Sequence, residues 1–281
     1  MVVALLVSAL AVVAAPVDFI PQNSLGLVTI NANKIIDNPT LNGMLSGIVN
    51  KEFQKEKIPL TFNDLRGQVA VGLVSNGKGA FQFCVAGEFS PKVVATFRNA
   101  IIKDLRNNKK VRAIRVNGKP GFADDEIRMI FYSPTTVLMQ ITVEGKMPFV
   151  NLKQGRKTNR SFKELFMAGI NIPKVLAVVP KEQLAGMPPQ IKDVNMVAAK
   201  VDVNGDVASA EVILQCKTAE ACNFAMVMID QMKQDPKAAQ VFAKIKITRR
   251  GNTIQARASM TIAEIIATVN GFVAASPAAG K

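Results

Sequence analysis

The sequence predicts an α+β protein made of two tandem related units, each an antiparallel sheet with helices packed on one face. The main observation is that residues 68–101 resemble residues 196–229, with Asn76-Gly77 matching Asn204-Gly205. In both segments an Asn-Gly pair separates two apolar runs, which is a strong hairpin signal. A helix start follows each hairpin. Chance resemblance of two hairpin-plus-helix segments is the alternative.

The two predicted helices differ in their apolar pattern. Ser90 and Thr218 are good N-cap residues, so we expect a helix to begin after each. In the first helix Val94, Phe97 and Ile101 recur at three- or four-residue spacing, which indicates one buried face. The second helix is apolar on nearly all sides, so we expect it to be the more deeply buried.

The flanking sequence extends both copies. Upstream, LGLVTINANKII (25–36) and KVLAVVPKEQL (174–184) each predict a strand that passes into a helix. The first of these helices is predicted to end near residue 53 and the second near Gly186. Downstream, strands are predicted at 111–116 and 243–249, followed by turns at Asn117-Gly118 and Gly251-Asn252. Capping boxes at 161–164 and 261–264 close the copies. An extra strand pair, 127–132 and 136–142, is expected in the first copy.

The predicted organisation is a signal peptide at 1–15, a first unit at 16–150 and a basic linker with a short helix at 151–172. The second unit covers 173–275 and a flexible tail 276–281. Residues 2–15, VVALLVSALAVVAA, are continuously apolar and end in small residues. This pattern is typical of a secretory signal peptide, and the run is short for a membrane span. We therefore expect an exported protein, periplasmic or extracellular, without a transmembrane span after cleavage. An uncleaved anchor and a buried strand are the alternatives.

The composition and motifs of the sequence exclude several kinds of catalytic, nucleotide-binding and metal site. The chain has no histidine, so Ser-His-Asp, Cys-His and His-metal sites are excluded. Neither a P-loop nor a G-x-G-x-x-G motif occurs. The acidic triplet at 124–126 lies in a predicted turn, and adjacent residues of an extended chain point to opposite faces. We predict that the protein is not an enzyme and that it binds no metal and no cofactor.

Three cysteines are present, and an exported protein meets an oxidising environment. Cys216 and Cys222 are close in sequence, so a disulfide between them is one interpretation and two small buried thiols are the other. Their spacing without further ligands does not predict a zinc site.

The net charge is +14, and it concentrates in two basic clusters. These clusters are the candidate sites for an anionic partner. Their members are Lys103, Arg106, Lys109, Lys110, Arg112 and Arg115, and then Lys153, Arg156, Lys157 and Arg160. Neither contains the aromatic residues that stack on bases, so nucleic acid is not expected. An anionic envelope surface, a polysaccharide or another protein is the expected partner, and a plain solvated surface is the alternative.

These observations predict an exported, non-catalytic, envelope-associated binding or structural protein. The alternative is a periplasmic carrier of a lipid or another apolar ligand. In that alternative Met226, Met228 and Met232 line a pocket, because methionine adapts to irregular shapes. Ordinary core packing explains the same methionines equally well. Oligomeric state does not follow from the sequence.

Overall fold

A computed structural model describes residues 16–267 except 78, 108–110, 145–147, 150–162, 180, 236–238, 240 and 266. The predicted signal peptide, most of the predicted linker and the predicted tail therefore lie outside the described residues. The strands are β1 Gly26–Asn31, β2 Gln68–Ser75, β3 Phe81–Glu88, β4 Arg112–Val116, β5 Lys119–Ala123, β6 Ile127–Phe131, β7 Thr136–Glu144, β8 Phe166–Asn171, β9 Val194–Asn204, β10 Val207–Cys216, β11 Ile245–Arg250 and β12 Thr253–Thr261. The α-helices are α1 Ala32–Asp37, α2 Pro39–Lys55, α3 Pro91–Asn107, α4 Ile172–Leu176, α5 Lys181–Ala185 and α6 Ala219–Met232.

The described strands form one 12-stranded sheet, in the order β11-β12-β10-β9-β8-β1-β2-β3-β7-β6-β5-β4. Every neighbouring pair is antiparallel. The predicted α+β class and antiparallel sheet are therefore confirmed. The sheet continues from one predicted unit into the other, because β8 pairs with β1 of the first unit on one side and with β9 of the second on the other. The expectation of one sheet per unit is corrected to a single shared sheet.

The four predicted hairpins are present, and strand register defines a two-residue turn in three of them: Asn117-Gly118, Gly251-Asn252 and, one residue later than predicted, Gly205-Asp206. Asn117 and Gly118 join β4 to β5 with φ values of 49° and 77°. Two positive φ values match the twist of antiparallel strands, and Asn-Gly adopts them at low cost. Gly205 between β9 and β10 and Gly251 between β11 and β12 have φ values of 57° and 55°.

The helix starts predicted after Ser90 and Thr218 are confirmed, and both side chains form capping hydrogen bonds. The Thr218 side chain accepts a hydrogen bond from the backbone N–H of Ala221 at the start of α6, and Ser90 Oγ accepts from the N–H of Val93 at the start of α3. The single helix predicted to end near residue 53 is two helices, since Pro39 begins α2 and the Asn38 side chain caps it. Proline fits the first turn of a helix but interrupts a helix interior.

One strand prediction was wrong. The segment after residue 174 does not form a strand, because Pro173 lies in the first turn of α4 and the Asn171 side chain caps that helix. The strand precedes it, as β8, and lies entirely inside the segment 151–172 that was predicted as linker. Of the two predicted capping boxes, the one at 261–264 is present, while Ser161 lies outside the described residues.

The helices α2, α3 and α6 pack on one face of the sheet, here called the helix face. Val49 and Phe53 of α2 and Val93 of α3 form a core cluster with Val69 of β2 and with residues of β6 and β7. The α6 residues Ala221 and Cys222 form a smaller cluster with β10, β11 and β12. Strand register places both clusters on the same face.

The expectation that α6 is more deeply buried than α3 is not met over the described side chains, because each helix has two buried residues, Val93 and Val94 in α3 and Ala221 and Cys222 in α6. The α6 residues Val227, Met228 and Met232 are 53%, 44% and 53% exposed. The helix is apolar on nearly all sides, but only one side meets the sheet and no described element covers the other.

Candidate functional site

The predicted basic clusters are only partly within the described residues. Lys103 and Arg106 belong to α3, and Arg112 and Arg115 are exposed on β4. Because side chains alternate along a strand, Arg112 and Arg115 point to opposite faces of the sheet and do not form one patch. The remaining predicted cations lie outside the described residues: Lys109, Lys110, Lys153, Arg156, Lys157 and Arg160.

The face opposite the helices, here called the open face, differs between the two ends of the sheet. Over β2, β3, β6 and β7 it is covered by the turn Pro16–Phe19 and by Ile20 and Tyr132. Phe19 packs edge-on against Tyr132, with 4.9 Å between ring centroids. At the other end, over β9, β10, β11 and β12, the large helix α6 lies on the helix face, and the open face presents exposed charged side chains such as Lys200 and Lys246.

A row of charged side chains crosses four neighbouring strands on the open face of this end. Lys246 on β11 is opposite Arg257 on β12, Arg257 is opposite Glu211 on β10, and Glu211 is opposite Lys200 on β9. Directly opposed residues share a face of the sheet, so these four side chains form a continuous line, here called the basic row. Sequence reasoning missed it because its members are far apart in the chain and only strand register aligns them.

The contacts within the basic row keep the Glu211 carboxylate ionised. Lys200 Nζ and Arg257 Nε each lie 2.7 Å from an oxygen of the Glu211 carboxylate, and Gln255 donates a further hydrogen bond to it. Hydrogen bonds from Lys200 and Arg257 hold the pKa of Glu211 below its usual range. Lys246 is exposed and has no ion pair within the described part of the chain. Three cations therefore face one ionised carboxylate.

The exposure of each member shows which charges are available to a partner. The Glu211 side chain is 9% exposed, while those of Lys200 and Arg257 are 50% and 63% exposed. The carboxylate lies at the base of the row and orients the two cations above it. Ser209 and Ser259, which are opposite each other on β10 and β12, line the same shallow depression. The exposed cations and serine hydroxyls of this depression can bind an anion.

A second depression lies on the open face at the junction of β1 and β8. Its floor is Leu27 and Gly169, which are directly opposite each other, and its walls are Val17, Ile20, Pro21 and Met196. We call it the junction pocket. The lining is mainly apolar, and Gln22, Ser24 and Asn171 supply polar groups at its rim. The Lys174 ammonium group donates to the carbonyl oxygen of Gln22 at 2.8 Å and fixes this rim.

Cys84 and Asp124, whose side-chain types occur in catalytic sites, have surroundings that give them structural contacts. Cys84 is buried, and burial raises the pKa of its thiol, so the nucleophilic thiolate is disfavoured. Asp124 accepts hydrogen bonds from the N–H groups of Glu126 and Ile127 and shapes the predicted turn. No group of three or more metal-binding side chains occurs among the described residues.

Gln82 and Gln140 are fully buried between β3 and β7. Gln140 Nε2 donates to Gln82 Oε1 at 3.2 Å, and Arg128 donates to Gln140 Oε1. The Arg128 guanidinium also lies 4.9 Å from the ring centroid of Phe149. Because each buried amide is hydrogen-bonded, the network stabilises this part of the sheet.

The structure contains a disulfide bond between Cys216 and Cys222, with 5.8 Å between their Cα atoms. It joins the last residue of β10 to the first turn of α6. Both residues are buried, at 4% and 0% exposure. The bond therefore attaches the start of α6 to the end of the sheet that carries the basic row.

No helix among the described residues is both long enough and apolar enough to cross a membrane. Comparison with models of protein families gave no match, and comparison with curated protein sequences gave none either. Among solved structures, crystal form I of TP0453 is similar with a TM-score of 0.46 and 9% identity, over 92% of this chain and 97% of that chain. Crystal form III has a TM-score of 0.45 and 10% identity, over 92% and 98% of the two chains. With TM-scores below 0.5, these similarities assign neither a family nor a function to the chain.

Proposed function

We propose that this chain is an exported, non-catalytic binding protein that attaches to an anionic membrane surface of the cell envelope through its basic row. The single observation that carries this proposal is the alignment of Lys246, Arg257 and Lys200 around one carboxylate on the open face of the sheet. Each Lys or Arg held near an anionic lipid surface contributes about 1 kcal/mol to binding.

A membrane surface suits this face better than a polysaccharide does. The basic row and the serines beside it contain no aromatic side chain, whereas sugar rings are usually bound by stacking on aromatic residues. The lining is also shallow rather than enclosed, so it offers little apolar burial to a sugar polymer. Charge attraction to a surface needs neither feature, since it depends only on the number of exposed cations.

The carrier alternative, as the sequence suggested it, has less support. It depended on Met226, Met228 and Met232 lining a pocket. Met226 packs against the sheet, and Met228 and Met232 are exposed on the outer side of α6. None of the three lines either depression on the open face.

We also propose that the two ends of the sheet are related units from a duplication. Strand order supports this proposal. A helix follows β3 in the chain, and β7, the second strand of a later hairpin, pairs with β3. In the same way a helix follows β10, and β12, the second strand of a later hairpin, pairs with β10. Helices α1 and α4 each follow an asparagine that ends a central strand, Asn31 and Asn171.

The membrane proposal is tested by co-sedimentation of the protein, without residues 1–15, with phosphatidylglycerol-containing vesicles and with pure phosphatidylcholine vesicles. Lys200→Gln with Lys246→Gln removes two cations and leaves Arg257 paired with Glu211. We expect affinity for the anionic vesicles to fall roughly 10- to 30-fold and binding to weaken with salt.

Lys51→Gln with Lys55→Gln is the matched control, because these lysines are also exposed but belong to α2 on the helix face. The control is expected to retain most of its binding. Equal losses in both double variants would show that net charge alone is responsible and would overturn the proposal. Binding to an anionic polysaccharide but to neither vesicle would assign the basic row to that other partner.

A further inference from the structure

Two glycines on the open face occupy equivalent positions but have different surroundings. Gly72 on β2 and Gly169 on β8 both lie opposite Leu27 of β1, one on each side. A Cβ atom added at Gly72 would collide with Ile20 Cγ2 and lie 2.8 Å from Ser24 Oγ. The same atom at Gly169 would meet nothing within 4 Å. The aliphatic side chain of Ile20 thus fills the space above one glycine, and the space above the other is open.

The open space above Gly169 has the lining of an aliphatic site. Leu27 and Gly169 form the floor of the junction pocket, and Ile20 and Met196 face it from opposite sides. Met196 is 36% exposed, so a group placed above Gly169 would cover apolar surface that water now contacts. Covering such surface is favourable at about 25 cal/mol per Å².

Strand β9 contributes one residue to the junction pocket, Met196, and one to the basic row, Lys200. Met196, Ala198 and Lys200 are alternate residues of this strand and therefore share the open face. Ala198 is directly opposite Gly169. Lys200 lies two residues beyond Ala198, at about 7 Å for a strand rise of about 3.3 Å per residue. A ligand with a negative head on Lys200 therefore extends its tail across Ala198 toward Met196.

We propose that the junction pocket binds the aliphatic chain of a single-chain anionic amphiphile, whose head group pairs with Lys200. The contact between the head group and Lys200 rests on the proposed function of the basic row. Binding of the ligand's aliphatic tail rests on the junction pocket alone. Strand addition by a peptide does not compete, because β1 and β8 are each paired on both sides. The occupant must therefore be held through side-chain contacts and charge.

The test measures binding of dodecanoate and of neutral dodecan-1-ol, below their aggregation limits, by calorimetry on the chain without residues 1–15. Gly169→Leu fills the pocket from its floor. We expect it to weaken dodecanoate binding roughly tenfold, which corresponds to about two buried methylene groups. Gly43→Leu is the matched control, since an added Cβ there also meets nothing within 4 Å and Gly43 lies on α2. It is expected to leave binding unchanged.

The headgroup contact is tested separately with Lys200→Gln. We expect this variant to weaken dodecanoate binding and to leave dodecan-1-ol binding unchanged. Equal binding of dodecanoate by Gly169→Leu and by the unchanged chain would overturn the pocket assignment, as would the absence of dodecanoate binding. Either result leaves the vesicle experiment on the basic row unaffected, so failure of one proposal is distinguishable from failure of the other.

Nuclear Overhauser contacts between the ligand methylenes and the methyl groups of Leu27 and Ile20 provide a test that needs no substitution. They keep the proposal falsifiable if Gly169→Leu fails to fold. Contacts to both residues are expected, and contacts confined to residues of the helix face would overturn the proposal.

Discussion

The ammonium group of Lys34, on α1, donates a hydrogen bond to the carboxylate of Asp202 on β9, 168 residues further along the chain. Asn38 extends the contact by donating to the carbonyl oxygen of Gly205 at 2.6 Å. Together with the pairing of β1 and β8, these bonds join the two ends of the sheet. Two independent domains connected by a linker would show neither feature.

We therefore expect the chain to unfold in one transition. Tyr132 is the only tyrosine and there is no tryptophan, so its fluorescence reports on the end of the sheet that contains β6 and β7, whereas far-ultraviolet circular dichroism reports on the whole chain. The two signals are expected to give the same urea midpoint, since the sheet is continuous. Separate midpoints would show that the ends unfold independently.

In a double-mutant cycle, Lys34→Met and Asp202→Asn are expected to couple by about 0.5–1 kcal/mol, because both side chains are partly exposed.

The local features of the fold could be predicted from sequence, and the long-range ones could not. An Asn-Gly pair determines its own turn, and Thr218 caps its own helix, so neither depends on distant residues. The pairing of β1 with β8 depends on strands about 140 residues apart, and their short apolar patterns match many partners equally well. The basic row depends on the register of four strands, which no sequence spacing indicates.

The correspondence that the proposed duplication implies was also only partly predictable from the sequence. The sequence suggested that the strand pair at 127–132 and 136–142 is the insertion. In the sheet, β7 of this pair lies beside β3, in the position that β12 takes beside β10. The hairpin β4–β5 instead extends the sheet beyond β6. Order along the chain and order in the sheet differ here, and only the sheet order reveals the correspondence.

The disulfide between Cys216 and Cys222 should contribute a modest amount of stability. It closes a short loop, with a sequence separation of 6, and a loop of this size restricts the unfolded chain by about 2 kcal/mol. We expect Cys216→Ala with Cys222→Ala to lower the free energy of unfolding in urea by about this amount. Reducing agent should destabilise the unchanged chain and have no effect on the variant, which keeps the buried Cys84. An equal response of both proteins to reductant would contradict the prediction.

Two glycines on the exposed side of α2 should be replaceable with a gain in stability. Added Cβ atoms at Gly43 and Gly47 meet nothing within 4 Å, and glycine in a helix interior costs roughly 0.5–1 kcal/mol relative to alanine. Each Gly→Ala variant is therefore expected to raise the free energy of unfolding by about that amount. Gly121→Ala is the contrasting change, because its Cβ would collide with the carbonyl oxygen of Met129 and lie 3.2 Å from the Cα atom of Ile130. It should destabilise the chain, and a stabilising effect there would contradict the packing described for β5 and β6.

The ion pair between Glu264 and Lys244 should make stability depend on pH in a defined window. The hydrogen bond from Lys244, at 2.7 Å, and those from Thr261 lower the pKa of Glu264 from 4.5 to about 2. A carboxyl whose pKa is lower in the folded state stabilises the fold above its unfolded pKa, and this contribution is lost as the pH falls through the folded value. The difference in unfolding free energy between the unchanged chain and Glu264→Gln should therefore be present at pH 6, decrease below pH 4.5 and be smallest near pH 2. In a Lys244→Met background the same substitution should show a weaker pH dependence, measured by urea unfolding at each pH. A difference that stays constant from pH 6 to pH 2 would show that this carboxylate is not stabilised by the contacts described.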